Sequence, residues 1–211
     1  SFDGYTVLFQ VANGQELTET INPDNLPDII LLDINMPKKD GYETAKWLRA
    51  KYPDIKIVAH QYHTGWSAEL ALRTVENTLT RLNNKVDAIL ANNSGMAHGA
   101  VQAVVEQKLT GKVFIAGADA DLSAIKDIVG GKQQFEVLKD IKPLAESAAA
   151  AAVALAKGNP VISDQTIDNQ SGTPIKVVNT PVYPITTENL EEKIFNSGFH
   201  EKSQVFGDKK L

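Results

Sequence analysis

The sequence predicts an α/β protein with a doubly wound, mostly parallel sheet in three α-β-α layers. Three observations lead there. Short apolar runs alternate with helix-patterned segments along most of the 211 residues. Most of those runs are continuously apolar, as strands are when both faces of a parallel sheet are covered. Repeated strand–helix–strand order then builds one sheet through right-handed crossovers.

The predicted strands, in order, are "YTVLFQVA" (5–12), "DIILLDI" (28–34), "IKIVAHQ" (55–61), "VDAILANN" (86–93), "KVFIAGAD" (112–119) and "QFEVLKD" (134–140). Helical segments separate them. "GQELTETI" (14–21) is short, and "GYETAKWLRAKYP" (41–53) groups Ala45, Leu48 and Ala50 before Pro53 stops it. "SAELALRTVENTLTRL" (67–82) has Ser67 as its cap, with Ala71, Val75, Leu79 and Leu82 on one stripe. "MAHGAVQAVVEQKL" (96–109) follows, then "DLSAIKDIV" (121–129), which Gly130-Gly131 ends. "KPLAESAAAAAVALAKG" (142–158) carries Pro143 in its first turn, and its alanine run with the Gly158 stop predicts a close-packed helix. From residue 159 the chain becomes turn-rich and proline-rich, which predicts an excursion with one or two edge strands. "TTENLEEKIFNSGF" (186–199) reads as a short amphipathic helix, and "EKSQVFGDKKL" as a loose tail.

Composition narrows the function classes. Hydrophobic residues make up 43% and charged residues 22%, with a net charge of −5. No basic cluster offers the electrostatic footprint of a nucleic-acid partner. Cysteine is absent, so disulfides, thiol catalysis and cysteine-based zinc sites are excluded. The longest apolar stretch, 148–156, is far short of the ~18 to 20 residues of a membrane span. The opening "SFDGYTVLFQ" lacks the pattern of a signal peptide. No cofactor is expected. Of the four histidines, His60 and His63 lie three apart with no third metal ligand placed by the sequence; His98 falls on a helix and His200 near the tail.

Two resemblances share the chain. "ANGQEL", then "PDIILLDINMPKKDGYE", then a helix and "YPDIKIV", resemble part of a response-regulator receiver domain, a flavodoxin-like fold. That resemblance places Asp33 at the phosphoacceptor position, with Pro37 and the Asp40-Gly41 turn shaping the loop behind it. The residues that serve such an aspartate are not matched. The acidic pair of the family's first strand is absent, "IKIV" runs on into Ala59-His60 where a hydroxyl residue is expected, and the family's lysine has no counterpart. Phosphoryl transfer depends on positioning and on metal charge neutralisation, and a hard cation needs several oxygen ligands. Asp33 is therefore read as a vestigial phosphoacceptor, a carboxylate at a strand end.

From about residue 56 to 206 the chain resembles the C-terminal part of periplasmic sugar-binding proteins of the D-xylose-binding kind. "IKIVAHQYHTGWSAELAL", "VDAILANNSGMAHGAVQAV", "GKVFIAGADADLSAIKDI", "VLKDIKPLAESAA" and "NLEEKIFNSGFHEKS" carry it in order and spacing. The resemblance implies that Trp66 stacks on a sugar ring, Asn93 and Asp119 serve its hydroxyls, and Lys139 donates at the cleft. Such groups suit a sugar, because an aromatic face takes the C–H face of a pyranose while Asn, Asp and Lys supply donors and acceptors. Each residue has a plainer reading too. Trp66 could pack at a helix start, Asn93 could be a helix cap, and Asp119 and Asp121 could cap the next helix. In those relatives a second lobe closes over the sugar, and its contributions have no counterpart in this sequence.

The two parents imply different compartments, cytoplasmic for a receiver and periplasmic for a sugar-binding lobe. The seam falls inside the single strand "IKIVAHQ". The chain thus reads as an artificial chimera forming one α/β domain: a receiver-like fragment (1–58), a sugar-binding-lobe fragment (59–206) and a tail (207–211). The expected function is non-catalytic, with half of a xylose-type monosaccharide site. A residual metal-dependent phosphoacceptor, or a natural sugar sensor tied to signalling, are the alternatives. The strand 5–12 is expected to be displaced, because "KVFIAGAD" claims the place beside "VDAILANN"; it is expected to move to a sheet edge or to pair with another copy as a homodimer. Incubation with acetyl phosphate and magnesium is expected to leave the intact mass unchanged; a metal-dependent phosphate adduct abolished by Asp33→Asn would overturn the vestigial reading.

Overall fold

The computed structural model describes residues 8–9, 11, 13–27, 30, 38–53, 59–163, 165–167 and 172–207. Asp33, Pro37, most of the predicted strands 5–12 and 28–34, the seam at 55–58 and the end of the tail lie outside the described residues.

Two helices open the chain, α1 (Gly14–Thr20) and α2 (Gly41–Lys51). Side chains cap both. Asn13 Oδ1 accepts from Glu16 N at 3.0 Å, and Asp40 Oδ1 accepts from Glu43 N at 2.8 Å. The Asp40-Gly41 turn is thus a helix start. Leu17, Ile21, Leu48 and Tyr52 form a cluster of their own, packed against Phe9, Val11, Ile30 and Trp47. Leu48 is buried as its spacing predicts. Ala50 is exposed, and Thr44 takes the inward place because it lies one turn before Leu48.

The remaining chain builds a sheet from β1 (Ala88–Leu90), β2 (Phe114–Ala118), β3 (Phe135–Lys139) and β6 (Val182–Ile185). Strands β1, β2 and β3 run parallel in that order, and β6 closes the far side antiparallel to β3. β1 pairs directly with β2, and the place expected for strand 5–12 rests mostly on residues outside the described ones. Helices α3 (Ala68–Arg81), α4 (Ser94–Glu106) and α5 (Leu122–Val129) connect or flank these strands, giving a three-layer α/β fold.

Two clusters form the core of this part. One gathers Leu79 of α3, Ala97, Ala100, Val101 and Val104 of α4, and Ile115 of β2. The other gathers Ile125 and Ile128 of α5, Leu138 of β3, Ile185 of β6, and Leu190 and Ile194. Each fully buried Leu or Ile contributes on the order of 1.5–3 kcal/mol. Small residues let α3 and α4 approach: a Cβ on Gly99 would run into the Ala68 carbonyl oxygen.

Three expectations are corrected. Helix α6 (Ile141–Ala156) forms, and Gly158 ends it at φ 71°, but it has no buried residue. Alanine's helix propensity is enough to form the helix, and close packing does not follow because nothing among the described residues covers its outer face. The amphipathic segment 186–199 contracts to a π-helical turn, Glu191–Phe195, with Ile194 buried. The expected loose tail instead forms α7 (Lys202–Phe206), held by a capping box between Glu201 and Gln204 and by Phe206 against Phe195 at 5.8 Å. Between α6 and β6, β4 (Gln165–Ile167) and β5 (Ile175–Val177) pair as a separate antiparallel hairpin.

Gly99→Ala is expected to cost about 1–3 kcal/mol by forcing α3 and α4 apart. A denaturant midpoint unchanged from the parent would contradict that contact.

Candidate functional site

Four chain segments end at the same side of the sheet. A 3-10 turn, Thr64–Trp66, leads into α3, and Ser67 caps that helix by accepting from Leu70 N at 3.2 Å. Gly65 and Trp66 take φ 69° and 55°, so the chain reverses sharply and leaves the indole 60% exposed. After β1, Asn93 caps α4, its Oδ1 accepting from Met96 N at 2.9 Å. The plainer reading of Asn93 therefore holds in the structure. The cap engages only the carbonyl end of the amide, so the two roles are compatible. After β2 come Asp119 and Ala120, at φ 99° and 59°. Lys139 ends β3, and its Nζ lies 2.7 Å from Asp119 Oδ1.

These segments enclose a pocket of about 390 Å³ lined by Trp66, Asn92, Asn93, Asp119 and Lys139. All four residues predicted for a sugar site lie in it, at the C-terminal ends of parallel strands or at the start of the flanking helix, where α/β sheets place ligands. Asn92 is the addition, and "ANNS" showed it only as the neighbour of Asn93. Chemically the pocket offers an exposed aromatic face, two amides, a carboxylate and an ammonium. Asp119 and Lys139 are half-exposed, so their ion pair adds little stability and mainly fixes the orientation of two polar heads. Asp33, by contrast, lies outside the described residues.

The histidines stand apart from the pocket lining. His98 Nδ1 meets Asp127 Oδ2 at 2.5 Å, joining α4 to α5. His200 Nε2 lies 2.9 Å from Ala120 O, and since a carbonyl only accepts, that nitrogen carries the hydrogen. A larger groove of about 640 Å³ runs between α6 and residues 160–161 and 176–180, lined mainly by Leu144, Ala148, Ala151, Leu155 and Val178. Its polar lining among the described residues is Ser147, Lys176 and Thr180.

Beneath the pocket lies a group that sequence patterning did not single out. Glu136 is fully buried in β3. Its Oε1 accepts from Gln133 Nε2 at 2.7 Å; its Oε2 accepts from Ala120 N at 3.1 Å and lies 3.0 Å from Ser94 Oγ. Burial pushes its carboxyl above the ordinary glutamate range, and the bonds from Gln133, Ala120 and Ser94 pull only partly back. A charged residue inside the run "QFEVLKD" was the only signal available.

Comparison with known proteins bears on the fold and the family. Residues 35–160 match the family described as periplasmic binding protein domain, and the chain belongs to that family. The match begins inside the receiver-like motif, upstream of the boundary read at 58. The D-xylose-binding periplasmic protein of Escherichia coli is 41% identical over 151 residues, 72% of this chain and 46% of that protein. The chain thus spans about half the length of the curated relatives it matches. A separate segment is 45% identical over 51 residues to the transcriptional regulatory protein DegU of Brevibacillus brevis, covering 24% of this chain and 20% of that one. Among solved structures, a carbohydrate transporter solute-binding protein from Chloroflexus aurantiacus in complex with D-glucose aligns with a TM-score of 0.61. It is 28% identical, over 67% of this chain and 42% of its own.

The raised pKa of Glu136 has a signed consequence. Between its unfolded and folded values the folded chain holds the extra proton, so this group's contribution is largest on the acid side and declines as pH rises through the raised value. The difference in unfolding free energy between the parent and Glu136→Gln is expected to shrink with rising pH across that window. A difference independent of pH would contradict it.

Proposed function

We propose that the pocket binds a monosaccharide of the xylose type, weakly and without catalysis, and that the chain is an artificial join of a receiver-like fragment to a sugar-binding lobe. The support is convergence: Trp66, Asn93, Asp119 and Lys139, far apart in sequence, line one pocket of a size suited to a small ligand. Trp66 would stack on the ring. Asp119, already oriented by Lys139, would accept from hydroxyls, and the amide donors of Asn92 and Asn93 would meet ring or hydroxyl oxygens.

Weakness follows from exposure. Trp66 and Lys139 are more than half exposed, so bonds to sugar hydroxyls compete with water across an open wall. Two similarities of different origin on one chain, to a sugar-binding protein and to a response regulator, support the join.

Xylose titration followed by heteronuclear NMR is expected to give a Kd no tighter than about 1 mM, near −4 kcal/mol. Trp66→Ala is expected to abolish the shifts. Micromolar affinity would overturn the weak-site reading, and no shifts at all at a sugar concentration of tens of millimolar would overturn the sugar reading.

A further inference from the structure

We propose that Glu136 is a positioning residue for this pocket: its buried carboxyl clamps the turn that carries Asp119, acting on Ala120 directly and on Asp121 through Ser94. The inference rests on the sugar reading of the pocket for its purpose, though the clamp can be tested without any sugar.

Asp119 and Ala120 are consecutive non-glycine residues at positive φ, a conformation each disfavours. Hydrogen bonds tether the backbone around them. Asp119 N donates to Val137 O at 2.8 Å, and Ala120 N donates to Glu136 Oε2. Ser94 Oγ accepts from Asp121 N at 3.0 Å and donates to Ala118 O at 2.9 Å, so one hydroxyl grips both sides of Asp119. His200 holds Ala120 O from the C-terminal segment.

Glu136 ties these tethers together, and the donor count says why it is an acid. Both of its oxygens meet N–H donors, the Ala120 backbone at one and Gln133 Nε2 at the other. Gln133 Nε2 also donates to Phe135 O at 2.9 Å, which fixes that atom as nitrogen. An amide at 136 would set its NH2 against one of the two donors. Ser94 has a single hydrogen, and when that goes to Ala118 O, the contact to Glu136 Oε2 is completed by a proton on the carboxyl. Burial of Glu136 favours that protonated form. Gly117 provides the space: a Cβ there would run into Glu136 Oε1 and Ala97 Cβ. An aspartate would be one methylene too short to reach these partners.

The test compares the full chain with Glu136→Gln, with Ser94→Ala, and with the swap Glu136→Gln plus Gln133→Glu. The swap returns an acceptor to Ala120 N by exchanging donor and acceptor within the pair, with the carboxyl at 133 protonated so that it still donates to Phe135 O. Amide hydrogen exchange is read first, without sugar. Glu136→Gln is expected to speed exchange at Ala120 about tenfold, with Val101 and Val104 of α4 unchanged, and the swap to return it to within about twofold. Ser94→Ala is expected to speed Asp121 by a similar factor. Xylose affinity, measured second, is expected to fall and recover in parallel. Unchanged exchange at Ala120, or equal acceleration at Val101 and Val104 that the swap does not rescue, would overturn the positioning role. Exchange that responds as expected in a chain that binds no sugar would support the clamp and overturn the sugar reading instead.

Discussion

A pair of left-handed residues at the end of β2 is the constraint on which the site depends. Holding Asp119 and Ala120 at positive φ costs of the order of 1–3 kcal/mol each. The surrounding backbone bonds, each about 1 kcal/mol net, are of the right size to offset it. The tethers come from the start of α4, from β3 and from the segment before α7. The turn is therefore defined only when those elements are in place. Its result is a carboxylate beside Lys139.

Packing quality is uneven across the molecule, and the unevenness follows the site. Under the pocket, α4 and α5 bury nearly all of their inward side chains against β2 and β3. Away from it, α6 buries none of its residues, and β4 is exposed along its length. A two-stranded hairpin has little stability of its own. Local opening is thus expected to begin around α6, β4 and β5, with the sheet around Ile115 and Leu138 opening last.

The receiver-like helices keep a separate cluster, in which Leu17, Ile21, Leu48 and Tyr52 meet Phe9, Val11 and Ile30. Their caps, Asn13 and Asp40, come from the stretches "ANGQEL" and "KKDGYE" that carry the resemblance. Helix starts are local: an oxygen of one side chain meets an N–H three residues on. Phosphoryl chemistry is not local, since it gathers groups from several strand ends.

Features set by short-range chemistry are legible in the residues alone. The parallel strands β1 and β2 show in continuous apolar runs, and α3 in its Ala71–Val75–Leu79 stripe behind Ser67. The pocket-lining residues Trp66, Asn93, Asp119 and Lys139 could be singled out in advance because each sits in a stretch similar to a sugar-binding lobe. Three-dimensional packing settled the rest. It left α6 uncovered although its composition reads as buried, because composition cannot say whether a partner surface exists. It made a helix of residues 202–206, because Phe206 finds Phe195 and Lys202 finds Glu191 at 2.8 Å across the turn. Only in the folded chain do Ser94, Ala120 and Gln133 converge on Glu136, whose partner Ser94 lies 42 positions away in the sequence. A lone acid in an apolar strand carries no sequence period that would reveal such partners.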